Sequence, residues 1–376
     1  MSLESEFGPG PEESSEHGLA AASRAAAELY GLEVLGLTPL GGGRVNESFR
    51  LESPRGPFVI QRLNDFFRDS PALGFNWQKV YQAAADKSGL TPPPIPPIYG
   101  DFQGRLVSRL PGGGGSWRLT GFLDGRAAPK TPATARAAAR LLGRVHRWLN
   151  RPLPLDLLPL PEGEFTNQHL PRPEEFKSLE AVYRGHPHLP ELRPLIGRAI
   201  EAAWQLPLFP GFGTAFRLRD VVIHGDCKAE NFLFDSGGRA VGLLDWDSVG
   251  YGHILVDIAE MLRSWGHDEV ALANAEAVLS GYAETGLPLQ DDDLDLLPPV
   301  LRAIVLNLAR RYLTDALAEV YFKWDREAYP SLFLQNRARA EKMLNLADYL
   351  LDHEPLWAET LKRGYRQASR LFPDEN

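Results

Sequence analysis

Cysteine is the scarcest residue in this chain. Cys227 is the only one among 376 residues, so no intrachain disulfide can form, which fits a reducing cytoplasm. Positive charge is short as well: 40 Lys and Arg stand against 49 Asp and Glu, a net charge of −9. That balance argues against a surface that coats nucleic acid and against a polybasic membrane patch; a small polar molecule is the easier partner. Long apolar runs are missing. The longest candidate, Val300 to Leu308, contains Arg302 and Asn307 and falls short of the roughly 18 residues that cross a bilayer. Ser2 to Glu16 is acidic and rich in Ser, Pro and Gly rather than basic and then apolar. It reads as a disordered tail, not a signal peptide.

What the chain does have is 44% hydrophobic residues, enough to build two lobes. Its most informative stretch is 221–247, where polar groups sit at the edges of apolar segments. Val221 to Ile223, Phe232 to Phe234 and Ala240 to Leu244 read as strands, with Asp235-Ser236-Gly237-Gly238 turning the last two into a hairpin. The loop before the hairpin carries His224, Asp226, Lys228 and Asn231, and the hairpin's second strand ends at Asp245. Cys227 reads as a small filler, since Lys228 favours its thiolate while Asp226 opposes it. Phosphoryl transfer has a use for such a set. One carboxylate orients and deprotonates the attacking hydroxyl; an amide oxygen and a second carboxylate, both hard ligands, hold magnesium against a triphosphate.

The spacing from Asp226 to Asn231 matches the Asp-x-x-x-x-Asn loop of protein kinases, and Asp245 falls where their metal-binding Asp begins the next motif. With His224-Gly225-Asp226 opening the loop and Leu244-Asp245-Trp246-Asp247 downstream, the stretch resembles the aminoglycoside phosphotransferase and choline kinase superfamily. The resemblance implies an α+β, protein-kinase-like bilobal fold: a β-rich N-terminal nucleotide-binding lobe with its hinge over 19–122, and a mostly helical C-terminal lobe over 123–376. It implies an ATP-dependent phosphotransferase acting on a small-molecule alcohol, with Mg2+ as second cofactor. Asp226 takes the place of the catalytic base, Lys228 stands against the transferred phosphate, and Asn231 and Asp245 are the magnesium ligands. His224 and Asp257 support the loop from behind, Asp257 from a helix expected over His253 to Trp265.

The segments before this loop read as a small lobe. Leu19 to Tyr30 is an expected helix, Glu33 to Thr38 a strand stopped by Pro39, and two more strands follow around Val45 to Leu51 and Phe58 to Asn64. Gly41 to Gly43 can bring backbone N–H groups to phosphate oxygens, although a triple glycine is as often a flexible hairpin. Gly42 and Gly43 are thereby candidates for holding nucleotide, and Asn46 and Ser48 join them because they resemble the polar pair that follows this loop in sugar kinases of the superfamily. The third strand has no lysine to meet the phosphates; Gln61 and Arg62 alternate in face and either polar residue could meet the nucleotide, Gln61 being the positional match to the lysine. The helix expected over Phe75 to Lys87 also lacks the glutamate such a lysine would pair with. Strands are expected over Arg105 to Leu110 and Ser116 to Leu123, where Gly121 suits close ligand approach or is a plain edge-strand glycine.

Past the hinge, Thr131 reads as the N-cap and Pro132 as the first residue of a core helix in which His146 packs rather than reacts. Pro173 to Arg184 and Glu191 to Leu206 are expected helices, and Gln290 to Asp295 a helix start. Val300 to Lys323 is read as a helix, with Arg311, Asp315 and Glu319 at four-residue steps, the spacing of exposed ion pairs. A finer likeness draws on Gly43-Arg44-Val45-Asn46, the Gln61-x-x-Asn64 strand end, Arg311-Tyr312-Leu313-Thr314-Asp315, Val320-Tyr321-Phe322 and Gln335-Asn336-Arg337-Ala338-Arg339. Together these resemble the N-acetylhexosamine 1-kinase branch, which implies the anomeric hydroxyl of a sugar as acceptor, gripped by Arg311 and Tyr321. Two alternatives stay open: a kinase of an aminoglycoside, choline or homoserine, and a catalytically silent nucleotide-binding protein, which the missing lysine suggests and Asp226, Asn231 and Asp245 oppose.

Overall fold

Helix α1, Pro11–Tyr30, is alanine-rich, and Ala22, Ala25, Ala26 and Leu29 recur at the spacing that puts them on one buried stripe. In this computed structural model, which describes residues 11–41, 45–65, 74–85, 93–112, 114–150, 155–160, 171–206, 221–266 and 271–370, that stripe packs on Phe49, Leu51, Ile60, Trp117 and Leu119. The helix takes in residues 11–16, which composition assigned to a tail. Pro11 does not prevent this, because a first-turn N–H has no intrahelical partner to lose.

The strands beneath α1 belong to one compact unit, Met1–Tyr81 with Pro96–Leu123. In chain order its elements are β1 Gly36–Leu40, β2 Glu47–Ser53, β3 Gly56–Leu63, α2 Phe75–Ala85, β4 Ile98–Tyr99, β5 Ser108–Arg109 and β6 Ser116–Gly121. The sheet is antiparallel in the order β1-β2-β3-β6-β4, with β5 also on β6. Two expectations change. Pro39 lies inside β1 and does not stop it, because β1 is an edge strand whose sole recorded neighbour is β2. The strand expected over Arg105 to Leu110 shrinks to two residues, because Asp101 accepts hydrogen bonds from the backbone N–H of Gln103 and Arg105 and from the Ser108 hydroxyl, curling the chain away from the ladder. Gly121 does serve a close approach, but to protein: a Cβ there would lie 2.5 Å from the Pro97 ring, and its N–H donates to the Pro97 carbonyl at 2.8 Å.

The second unit, Gln82–Ile95 with Asp124–Asn376, is mostly helical. It contains α3 Pro132–Leu149, α4 Pro173–Val182, α5 Leu189–Trp204, the short strands β7 Val221–Ile223, β8 Phe232–Phe234, β9 Ala240–Leu243 and β10 Gly250–Gly252, then α6 Ile254–Trp265, α7 Ala271–Ala283, α8 Asp291–Ala318, α9 Leu332–Asp352 and α10 Glu354–Ser369. Thr131 caps α3 through its hydroxyl, which accepts from the Thr134 N–H at 3.3 Å, and Pro132 opens the first turn. Gly281 lets α7 lie directly on α3, since a Cβ there would fall 2.2 Å from the Arg136 carbonyl oxygen. Helix α8 is buried on nearly all sides, from Leu297 through Asn307. It ends at Ala318, short of the expected Lys323, with Glu319 in the left-handed region at φ 52°. Among the described residues no helix is long and apolar enough to cross a membrane. Antiparallel sheet in the N-terminal part and helices in the C-terminal part make this the α+β architecture expected from the motifs.

Candidate active site

The loop 224–231 leaves β7 and enters the β8–β9 hairpin. Two antiparallel pairings frame it, Ile223 with Gly250 and Phe232 with Leu243. The Leu244 N–H donates to the Asn231 carbonyl at 2.8 Å, bringing the residues before Asp245 beside the end of the loop. Helix α6 fastens the loop backbone. The Asp257 carboxylate accepts from the His224 N–H at 2.8 Å and the Gly225 N–H at 2.7 Å, and the Ser264 hydroxyl accepts from the Ala229 N–H at 2.8 Å. Only glycine suits position 225, at φ +86° with a Cβ site 2.4 Å from the Ser248 carbonyl oxygen.

Behind the loop, Asp257 also meets His146 Nε2 at 2.9 Å, and His146 Nδ1 meets the Tyr282 hydroxyl at 3.0 Å. His146 is therefore a packed residue tied to the anchor. Burial alone would raise the Asp257 pKa, but the His146 hydrogen bond and charge, together with His224, hold it below the usual carboxylate value. His224 contacts the Leu244 carbonyl through Nε2 at 3.0 Å, so Nε2 donates and Nδ1 is left to accept the Asp226 N–H at 3.2 Å. Burial pushes its pKa below 6.5 and keeps the ring neutral.

On the open side the charges converge. The Lys228 ammonium pairs with the Asp226 carboxylate and lies 3.7 Å from Asp245 Oδ2, so one cation sits between two carboxylates. Asn231 Nδ2 donates to the Asp226 carbonyl at 2.8 Å and to its Oδ2 at 3.1 Å. Burial raises the Asp226 pKa, but the charge and hydrogen bond of Lys228, with His224 and Arg311, bring it below the ordinary value. Lys228 is pushed up: burial opposes its charge, and Asp226 and Asp245 outweigh that. Asp245 adopts φ 63° and ψ 64°, a left-handed conformation costing an L-residue on the order of 1–3 kcal/mol. Cys227 is fully buried, and burial pushes its thiol well up, as befits a filler.

A divalent cation fits the donor set. With Asn231 Nδ2 committed to Asp226, its Oδ1 is the ligand atom left, and the Asp245 carboxylate is a second hard oxygen. Among the described residues no group of three or more His, Cys, Asp or Glu could hold a metal by protein ligands alone. One amide oxygen and one carboxylate are donors of the kind Mg2+ takes, its shell being commonly completed by water and substrate phosphates.

Arg311 Nη2 donates to the Tyr321 hydroxyl at 2.6 Å, and its guanidinium carbon lies 5.1 Å from that ring's centroid. Arg311 lowers the Asp226 pKa and Asp226 raises that of Tyr321, so the three share one electrostatic neighbourhood. The surface ion pair expected of Asp315 is not what it makes. Asp315 is buried and accepts from the N–H groups of Val320, Tyr321 and Phe322 at 2.8, 2.7 and 2.9 Å and from Asn336 Nδ2 at 2.9 Å. Its carboxylate folds the chain back after α8 and thereby delivers Tyr321 to Arg311. Ser264 and the Glu260–Arg263 pair, with a 2.8 Å bond from Arg263 Nε, were not singled out by sequence reasoning, and Asp315 was read there only as an exposed ion-pair partner. A buried carboxylate on a helix has no local signal that separates it from a solvated one.

In the first unit, Gly42 and Gly43 lie outside the described residues. Asn46 Oδ1 accepts from the Asn64 N–H at 3.0 Å, and Ser48 Oγ accepts from Gln61 Nε2 at 2.8 Å. Gln61 Oε1 in turn accepts from Arg118 Nε at 2.7 Å. Arg118 was also missed, although a lone charge inside the apolar strand Ser-Trp-Arg-Leu-Thr-Gly was a visible anomaly.

The chain is 36% identical over 72 residues to viomycin phosphotransferase from Streptomyces vinaceus, a match that spans 18% of this chain and 24% of that relative. Among solved structures, a microcompartment-associated aminopropanol kinase matches with a TM-score of 0.61 at 17% identity, covering 89% of this chain and 98% of that one. An amicoumacin kinase in complex with AMP-PNP and Ca2+ matches with a TM-score of 0.58 at 15% identity, covering 89% and 96%. At these identities the structural matches speak for the fold. The model of the Phosphotransferase enzyme family matches residues 36–287, well over half of the chain, and the chain therefore belongs to that family.

Proposed function

We propose that this protein transfers the γ-phosphate of ATP to a hydroxyl of a small molecule, and that the acceptor is the anomeric hydroxyl of an N-acetylhexosamine. One observation carries the transfer chemistry: Asp226 and Asp245 approach the same Lys228 ammonium, while Asn231 is bonded to Asp226. Asp226, ionised because Lys228 outweighs its burial, accepts the proton of the attacking hydroxyl. Lys228 supplies positive charge beside the carboxylate and is placed to meet a phosphoryl oxygen. Asn231 and Asp245 are the residues that would hold magnesium, which when bound neutralises phosphate charge. His224 and Asp257 keep the loop backbone in place from behind. Gly42, Gly43, Asn46, Ser48 and Gln61 are the nucleotide residues in this reading.

The sugar acceptor is supported by the likeness of the Arg311 and Tyr321 segments to the N-acetylhexosamine 1-kinase branch, and by the Arg311–Tyr321 pair lying in the field of Asp226. A guanidinium there suits a neutral, hydroxyl-rich acceptor better than a polycation. A second reading, an amine-bearing alcohol, is favoured by the names of the viomycin, amicoumacin and aminopropanol relatives. A coupled ATPase assay with GlcNAc, GalNAc, kanamycin, choline and aminopropanol separates the readings. Turnover on the two hexosamines is expected; turnover confined to the amines would overturn the sugar. ATP binding with no transfer to any acceptor would favour a silent nucleotide-binding protein.

A further inference from the structure

On β3 and β6, Gln61 stands directly opposite Arg118, and on β2 Ser48 stands directly opposite Gln61. Residues opposite one another point to the same face of a sheet. The three side chains form a relay: Arg118 Nε donates to Gln61 Oε1 at 2.7 Å, and Gln61 Nε2 donates to Ser48 Oγ at 2.8 Å. Arg118 is 1% exposed, in a strand whose other residues are all buried too. Its guanidinium carbon lies 5.1 Å from the centroid of the Trp77 ring, which is fixed by a 2.8 Å bond from Nε1 to the Pro96 carbonyl. Burying a guanidinium is costly even when it is bonded, and an apolar residue would fill a strand interior at lower cost.

The relay has a directional consequence. A guanidinium can only donate, so the atom Gln61 turns toward it must be the oxygen. The amide nitrogen is thereby forced the other way, toward Ser48, and it carries a second N–H beyond the one given to that hydroxyl. This is the strand position where protein kinases place a phosphate-binding lysine.

We propose that Arg118 is a positioning residue for nucleotide phosphate: it locks the Gln61 amide with its donor turned away from the guanidinium and supplies, from the neighbouring strand β6, the positive charge that Gln61 lacks. The Gln61–Arg118 pair thus does together what a strand lysine does alone. The inference rests on the ATP-dependent reading above and adds to it the group that takes over the lysine's part.

Calorimetric titration of the full-length protein with ATP and with adenosine tests it, thermal unfolding being followed on the same samples. In Arg118→Met, ATP affinity is expected to fall about tenfold, the scale of one charge-assisted hydrogen bond, with adenosine affinity unchanged. Gln61→Glu gives the sharper contrast. A glutamate would pair with Arg118 and hold or raise the unfolding temperature, but it would set a carboxylate against the phosphates and weaken ATP at least as much, again without touching adenosine. ATP affinity unaltered in Gln61→Glu, or ATP and adenosine weakened in equal proportion in both variants, would overturn the assignment. Wild-type protein that binds neither ligand would overturn the ATP reading itself, and this inference with it.

Discussion

Asp226 lives under opposed influences, burial pushing its proton on and Lys228 pushing it off, and the balance leaves a carboxylate that stays ionised through neutral pH. Asp226→Asn removes the proposed base while keeping the side chain's shape, so kcat is expected to fall by roughly 10²- to 10⁴-fold with ATP affinity little changed. Steady-state kinetics checks this, and turnover equal to wild type would remove Asp226 from the chemistry. His224 carries a different signature. Because its folded pKa is depressed below 6.5, the unfolded chain takes up a proton that the folded chain refuses. Its contribution to stability is therefore complete above pH 6.5 and is lost as pH falls from there toward the lowered folded value. Chemical denaturation across that window should show wild type losing stability more steeply than His224→Gln; parallel profiles would mean the buried ring plays no such part. The residues proposed for the chemistry stood out in the sequence because Asp226, Lys228, Asn231 and Asp245 lie within one 20-residue stretch with kinase-like spacing. Asp315 and Arg118 were not, because what sets them apart is burial, and burial is decided by residues far away in the chain.

At the scale of elements, helix α6 is the anchor of the catalytic loop. It reaches the loop at both ends, through Asp257 to His224 and Gly225 and through Ser264 to Ala229. Asp257→Asn replaces an acceptor-only group with one that must present an N–H to at least one of its donors, leaving a buried group unpaired. A loss on the order of 3–5 kcal/mol is expected, read as a lowered denaturation midpoint, together with reduced turnover in whatever fraction stays folded. Stability within a few tenths of a kcal/mol of wild type would show that the loop is held by other means. Helix α8 offers the opposite case. It is closed by Glu319, exposed and left-handed at φ 52°, where an L-residue carries a conformational cost of about 1 kcal/mol. Glu319→Gly should raise the unfolding temperature without altering KM for ATP, and a lowered one would mean that the carboxylate itself holds the turn. Element identity followed from the sequence where local chemistry governs it, as with Thr131 and Pro132 at the start of α3. It failed where neighbours govern it. Pro39 is tolerated because β1 is an edge, β5 is cut short by the Asp101 turn, and α8 stops at Ala318 because Asp315 turns its carboxylate on the N–H groups of Val320, Tyr321 and Phe322.

For the whole molecule, an excess of nine negative charges opposes the phosphate backbone of nucleic acids. An electrophoretic mobility assay at low salt should show no retarded DNA or RNA, while a clear shift would point to a basic surface that composition conceals. Each compact unit keeps its own part of the argument: the first holds the sheet with the Ser48–Gln61–Arg118 relay, the second the loop fastened to α6. By itself the sequence determined where strands and a hairpin gather polar groups over 221–247, since that rests on apolar runs and turn residues along a short stretch, and the resemblance carried by those residues implied the class of fold. Only the tertiary structure decided that Asp315 is buried and folds Tyr321 onto Arg311, and that a guanidinium on β6 stands opposite Gln61. Those facts depend on which side chains meet across strands and helices far apart in the chain, and no local pattern of residues encodes that.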